Sequence, residues 1–121
     1  MISYDDFKKI EMRAGKILSV EKVPDTDKLL KLSVDFAEAA PRQIISGIAL
    51  YFSDPAVLVG KTCMFVTNLE PRVIRGLESQ GMILAVSIPP TTDPVSGAVI
   101  SPGGFSLLEP NDSIPVGTLA K

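Results

Sequence analysis

Two segments of this 121-residue chain gather side chains able to hold another molecule. The first is Arg42-Gln43-Ile44-Ile45-Ser46-Gly47-Ile48, where alternation puts Arg42, Ile44 and Ser46 on one face of a strand. The second, Asn68-Leu69-Glu70-Pro71-Arg72-Val73-Ile74-Arg75-Gly76-Leu77-Glu78-Ser79-Gln80-Gly81-Met82, sets hydrogen-bonding side chains and loop-forming glycines between two apolar runs. Their chemistry is charge and hydrogen bonding, as expected of binding residues mounted on a rigid frame. Nucleophilic chemistry has little to work with. The chain has no His, which removes Ser-His-Asp and Cys-His sites and every zinc site built on imidazole. The lone Cys63 can form neither an intrachain disulfide nor a cysteine metal cluster, which suits a reducing compartment. Asp25 and Asp27 look like a carboxylate pair, but the run Pro24-Asp25-Thr26-Asp27 is turn chemistry and accounts for both. The expectation is a binding protein with no catalytic residue, metal or cofactor.

These segments need a scaffold, and hydrophobic period describes one. Ser3 can cap a short opening helix, with Asp6 three residues on and Ile2 placed to staple against Phe7. From Glu11 to Glu21 the even positions Met12, Ala14, Leu18 and Val20 are apolar, which predicts a half-buried strand. Lys16 and Ile17 break that alternation just after Gly15, a residue that inside a strand marks a bulge or a barrel corner. A second strand carries Leu30, Leu32 and Val34, and a third runs from Arg42 to Ile48. Asp54 before Pro55 predicts a short helix ending by Gly60. Two more strands, Thr62 to Thr67 and Met82 to Ser87, flank the loop from Asn68 to Gly81. The sum is an all-β protein with about five short strands and a helix between the third and fourth. That count matches the partly open oligonucleotide-binding (OB) barrel, and a small unrelated barrel would give a similar one.

Composition agrees with one folded domain: 45% of residues are hydrophobic, 6% are aromatic, and the net charge is −2. The acidic excess belongs to residues 88–121, which hold Asp93, Glu109 and Asp112 against Lys121 alone and six of the ten prolines. Residues 1–87 therefore read as the barrel and 88–121 as an appended Pro/Gly-rich extension, packed on the barrel or at a dimer interface. Phe105, Leu107 and Leu108 in that extension, with the open strand edges of such a barrel, need covering and predict a homodimer. Charged Asp5, Asp6, Lys8 and Lys9 stand where an export signal would be apolar, and Ile44 to Phe52 is too short to span a bilayer. A cytoplasmic protein with no membrane partner is expected.

Five runs resemble, in order and spacing, the tRNA-binding domain appended to methionyl-tRNA synthetases and also found as free-standing proteins. They are Met12-Arg13-Ala14-Gly15-Lys16-Ile17, Pro24-Asp25-Thr26-Asp27-Lys28-Leu29-Leu30-Lys31-Leu32, Arg42 to Ile48, Leu58-Val59-Gly60-Lys61 and Asn68 to Met82, within residues 3–87. The resemblance implies an OB barrel that grips the outer corner of tRNA by shape, as a non-catalytic auxiliary. It implies tRNA as partner, with dimer formation and association with methionyl-tRNA synthetase as further possibilities.

Residues implied to bind tRNA include the cations Lys28, Lys31, Arg42, Lys61, Arg72 and Arg75, of which Arg42, Arg72 and Arg75 carry most weight. An arginine fork grips phosphate at two points and stacks on exposed bases. Ser46, Asn68, Ser79, Gln80 and Met82 complete the set. Asn68, Ser79 and Gln80 could equally satisfy backbone groups of a tight loop, and Met82 could be a core residue. Glu70 and Val73 depart from the family, standing where many relatives carry basic residues. The alternative inside the same fold is a CsaA-type export chaperone that binds unfolded polypeptide. Ile45-Ser46-Gly47-Ile48 and Ser79-Gln80-Gly81-Met82 look more like the synthetase branch.

Overall fold

The computed structural model describes residues 1–121. Ser3 caps helix α1 (Tyr4–Phe7), its hydroxyl accepting the Asp6 amide at 3.1 Å. α1 buries none of its residues, and Ile2 stays largely exposed, so the expected staple covers little. The strands that follow are β1 (Met12–Lys22), β2 (Leu30–Asp35), β3 (Arg42–Ser46), β4 (Thr62–Val66), β5 (Arg72–Ile74), β6 (Leu77–Ser79) and β7 (Met82–Ile83). Five of them form one antiparallel sheet in the order β3-β2-β1-β4-β7. β1 is long enough to pair with β4 through Met12–Lys16 and with β2 through Lys16–Lys22, which bends the sheet into the OB barrel.

Alternation sets β2: Leu30, Leu32 and Val34 are fully buried, and their partners across β3 are Ser46, Ile44 and Arg42. β1 departs from the sequence expectation. Its pairing skips from Ile17↔Val34 to Ser19↔Ser33, so Leu18 is the extra residue of a bulge and is 43% exposed instead of inward. The inward set is Gly15, Ile17 and then Val20, because one inserted residue reverses which parity faces the core. Gly15 is required for space. A Cβ there would lie 2.4 Å from Phe36 Cε1 and 2.7 Å from Val34 Cγ1.

Asp54 accepts the Ala56 amide at 3.1 Å and starts a 3₁₀ turn, Pro55–Leu58, that delivers fully buried Leu58 to the core. A further 3₁₀ turn, Ala49–Tyr51, ends β3 at Ser46, sooner than alternation suggests. Cys63 is buried in the core, and desolvation pushes its thiol up to about 11, so it stays protonated. No helix is long and apolar enough to cross a membrane.

The run expected as one strand from Met82 to Ser87 divides. β7 stays in the barrel, while β8 (Ala85–Ile88) turns out of it. β9 (Thr91–Thr92) and β10 (Val99–Ser101) form a projecting hairpin, and β11 (Gly104–Leu107) returns to pair with β8. Leu107 enters the core, and further on Gly117 and Thr118 bond the backbone of Ala14 at 2.7 and 2.9 Å. Arg13 fixes that return by donating to the Gly117 carbonyl at 2.9 Å.

Gly15→Ala should lower stability by about 1–3 kcal/mol, since the new methyl meets two buried side chains that have nowhere to move. Urea denaturation followed by circular dichroism measures it. A midpoint equal to that of the parent would show that the corner has slack.

Candidate nucleic-acid interface

The sheet order leaves β3 and β7 as facing edges, and no strand ladder joins them. Side chains from the end of the Asn68–Gly81 segment close the gap. Ser79 Oγ accepts the Ile45 amide at 3.0 Å and donates to the Gly81 carbonyl at 3.1 Å. Gln80 Oε1 accepts the Gln43 amide at 2.9 Å, the Gln80 amide donates to the Gln43 carbonyl at 2.8 Å, and Gln43 Nε2 reaches the Glu78 carbonyl at 2.8 Å. Gly81 suits this tight place, because a Cβ would sit 3.0 Å from the Val66 carbonyl and 3.2 Å from Ile44 Cδ1 and a neighbour would have to shift to admit it.

Arg42 completes the closure. Its pairing with Val34 puts it on the inward face at the mouth of the barrel, where its side chain is only 23% exposed. Nη1 donates to the carbonyls of Thr67, at 2.5 Å, and Gln80, at 3.2 Å. Nε and Nη2 each meet a Glu38 oxygen at 2.8 Å, and the guanidinium lies 5.5 Å from the Phe36 ring centre. Thr67 and Gln80 bracket the excursion that carries β5 and β6, so one guanidinium clips both of its stems. The hydrogen bonds from Arg42 hold the Glu38 carboxyl below its ordinary range, and the same pair raises the pKa of Arg42 against the opposing effect of burial. Asn68 works alongside: Oδ1 accepts the Glu11 amide at 2.8 Å and Nδ2 donates to the Lys9 carbonyl at 2.6 Å. Arg13 and Thr67 hydrogen bond to the Glu11 carboxylate and lower its pKa despite some desolvation.

The candidate residues therefore separate. Arg42, Asn68, Ser79 and Gln80 direct their polar groups into the fold. Lys31, on the outer face of β2 opposite Ile45, pairs with Glu21 at 2.9 Å. Lys61 precedes the far end of β4 from Thr67 and pairs with Glu109 at 3.3 Å, across a polar cleft that Lys16 and Asp112 also line. Lys28, Arg72 and Arg75 are exposed and take part in no ion pair. Ser46 is half-buried at the end of β3, and Met82 is 47% exposed rather than in the core.

The loop expected between Asn68 and Gly81 contains the β5–β6 hairpin, which packs on β3. Its two-residue turn is Arg75-Gly76, with φ of +53° and +78°, the sign pattern of a type I′ turn. Asn-Gly or Asp-Gly would have announced that turn, and Arg in the first place hides it. The hairpin holds Arg72 beside Ile45, Leu69, Glu70, Ile74 and Met82 around a shallow cleft of about 70 Å³. Arg72 thus shares that cleft with the exposed apolar Leu69 and Met82, and buried Ile45 is the cross-strand neighbour of Lys31. Glu38, the partner of Arg42, went unnoticed in the sequence although an i,i+4 acid–base spacing was there to read.

Comparison with known proteins adds a family. Residues 12–118 match the family described as "Putative tRNA binding domain". The methionine–tRNA ligase of Myxococcus xanthus is 46% identical over 116 residues, covering 94% of this chain and 14% of the ligase. The chain thus spans about a seventh of that relative's length. A MetRS-related protein from Pyrococcus horikoshii superposes with a TM-score of 0.79 at 35% identity, covering 100% of this chain and 98% of that one. The chaperone CsaA of Bacillus anthracis gives 0.74 at 26% identity, covering 100% and 99%.

Arg42→Ala should destabilise the protein by about 1–3 kcal/mol, since two carbonyls and a carboxylate lose their donor. Amide exchange at Gln43 and Ile45 should quicken, and Arg42→Lys should not restore it, because a point charge cannot serve three acceptors set around a fork. Unchanged exchange would mean the seam closes without Arg42. Carboxyls held below their ordinary pKa stabilise the fold above that value and lose the contribution as pH falls through the lowered one. Glu38→Gln should accordingly make the loss of stability below about pH 4.5 shallower, as read from denaturation midpoints across an acid series.

Proposed function

The chain belongs to the putative tRNA-binding domain family, and from that premise we propose that it binds tRNA without catalysing a reaction, gripping backbone and shape at the outer corner. The surface would be the β5–β6 hairpin with the outer face of β2 and β3, and Lys28, Arg72 and Arg75 would meet phosphate. Arg75 carries the reading. A non-glycine residue at positive φ is strained by about 1–3 kcal/mol, and Asn or Gly would occupy that turn more easily. An exposed arginine kept there without an ion-pair partner supports a use for its charge outside the chain. Lys31 is available by exchanging Glu21 for phosphate, since an exposed pair is worth little. Arg42, Ser79, Gln80 and Asn68 would serve by fixing the hairpin, and Ser46 and Met82 would border the groove. Lys61 would contribute no contact. With a net charge of −2 and acidic Glu70 in the cleft, affinity should be modest and fall with salt.

The domain would act as an auxiliary of methionyl-tRNA synthetase, in the same chain or as a separate subunit, in the cytoplasm. Capture of unfolded polypeptide is the second reading, favoured by the exposed apolar Leu69 and Met82, which line the same cleft as Arg72. A homodimer is proposed through the extension of residues 88–121, where Ile88, Val99 and Ile100 expose apolar side chains and Ile88 lines a cleft with the Tyr51–Phe105 ring stack, whose centres are 4.0 Å apart.

Arg75→Asn separates charge from turn: tRNA affinity should drop by about 1–3 kcal/mol while stability holds or rises. A titration of labelled tRNA at low ionic strength, with a denatured polypeptide as competitor, reads both ligands. Binding of the polypeptide with none of tRNA would replace this reading by the chaperone one. Light scattering should give a dimeric mass, and a monomeric one for Ile88→Asp. Truncation at Ser87 would strip Leu107 from the core, so the point substitution is the cleaner probe. A monomer for the parent chain would remove the interface assigned to the extension.

A further inference from the structure

A second cleft lies at the other side of Asn68. It has a volume of about 340 Å³, with α1 and Ile10 forming one wall, residues 119–121 another, and Glu11, Arg13 and Asn68 at its base. Four of its eleven lining residues, Lys8, Lys9, Arg13 and Lys121, are basic and one, Glu11, is acidic. On a chain of net charge −2 that is a local concentration of cations. The base is rigid, because Asn68 bonds both the Glu11 amide and the Lys9 carbonyl, and Arg13 is held by Glu11 and the Gly117 carbonyl.

The α1 wall offers the chemistry of nucleotide recognition. Tyr4 is 72% exposed, with Lys8 Nζ 5.5 Å from its ring centre. Lys9 meets only Asp6, at 3.2 Å, in a pair so exposed that phosphate would compete readily. α1 buries no residue, so core packing does not explain why the chain keeps an aromatic and two lysines there. The cleft is also joined to the proposed tRNA surface through consecutive residues. Asn68 lines this cleft, and Leu69 and Glu70, the next two residues, line the hairpin cleft.

We propose that this cleft binds an unpaired nucleotide of the RNA held by the hairpin, its base against Tyr4 and its phosphate against Lys8 and Lys9. The inference rests on the tRNA-binding reading and extends its footprint to α1 and the C-terminal segment. Stacking on one ring is tolerant of base identity, so the contact would add affinity without sequence preference. Arg13 would not touch the ligand, its guanidinium being engaged inside the fold and its charge offset by Glu11.

The test is a salt series of anisotropy titrations with labelled tRNA on the full chain. Four proteins are compared with the parent: Tyr4→Ala, Lys8→Ala with Lys9→Ala, Lys16→Ala as an exposed cation away from both clefts, and Arg75→Asn. Tyr4→Ala should weaken binding about fivefold or more and leave the salt slope unchanged. The lysine pair should lower the slope of log affinity against log salt by about one, the loss of one phosphate contact. Lys16→Ala should match the parent. Circular dichroism should show all four folded, α1 being free of core contacts. If the Tyr4 and lysine variants behave as Lys16→Ala does while Arg75→Asn still weakens binding, the cleft serves another partner, such as protein, and this inference falls alone. If no tRNA binds any of them, the functional reading falls with it.

Discussion

The constraint on which this molecule turns is the seam of an open barrel. Five strands in the order β3-β2-β1-β4-β7 leave two edges whose backbone groups need partners, and no sixth strand supplies them. Arg42 answers the problem at the barrel mouth by joining Glu38, Thr67 and Gln80 through one planar group. Ser79 and Gln80 supply the adjoining bonds that an edge strand would otherwise make. Because Thr67 and Gln80 are the stems of the β5–β6 excursion, closing the barrel and aiming the hairpin are one event.

Roles follow from where each side chain's donors go. A guanidinium with four hydrogen bonds inside the fold has little left for a ligand, whatever its residue type suggests. The arginines left without an ion-pair partner are those held outward on the hairpin, Arg72 and Arg75. The same logic applies to Asn68, whose two bonds tie the approach to β1 to the beginning of the excursion. Asn68 thus sets the base of the α1 cleft and leads directly into Leu69 and Glu70, which line the hairpin cleft.

Total charge is a poor guide to such a surface. A net charge of −2 argues against strong nonspecific attraction, yet the acidic excess lies in residues 88–121 while unpaired cations stand on the β1–β2 loop and the hairpin. Placement sets the local field, since salt screens charges more than about 8–10 Å apart. Hydrophobic residues divide in a similar way. Leu107 and the segment around Gly117 complete the barrel, while Ile88, Val99 and Ile100 stay on the outside of the same extension.

Alternation by itself determined β2, and local residue types determined the turn at Pro24–Asp27 and the Ser3 and Asp54 caps, because each depends on residues within a few positions of one another; together they gave the all-β class. Five ordered motifs determined the family resemblance for the same reason: spacing is a property of the chain. Local period did not reveal the bulge at Leu18, where one extra residue reverses the facing of everything beyond it, nor the hairpin hidden by Arg75. The division of Arg42, Ser79, Gln80 and Asn68 from Arg72 and Arg75 was decided only in three dimensions. Whether a donor is free depends on which acceptors lie within hydrogen-bond distance of it, and for Arg42 two of them belong to residues 25 and 38 positions away.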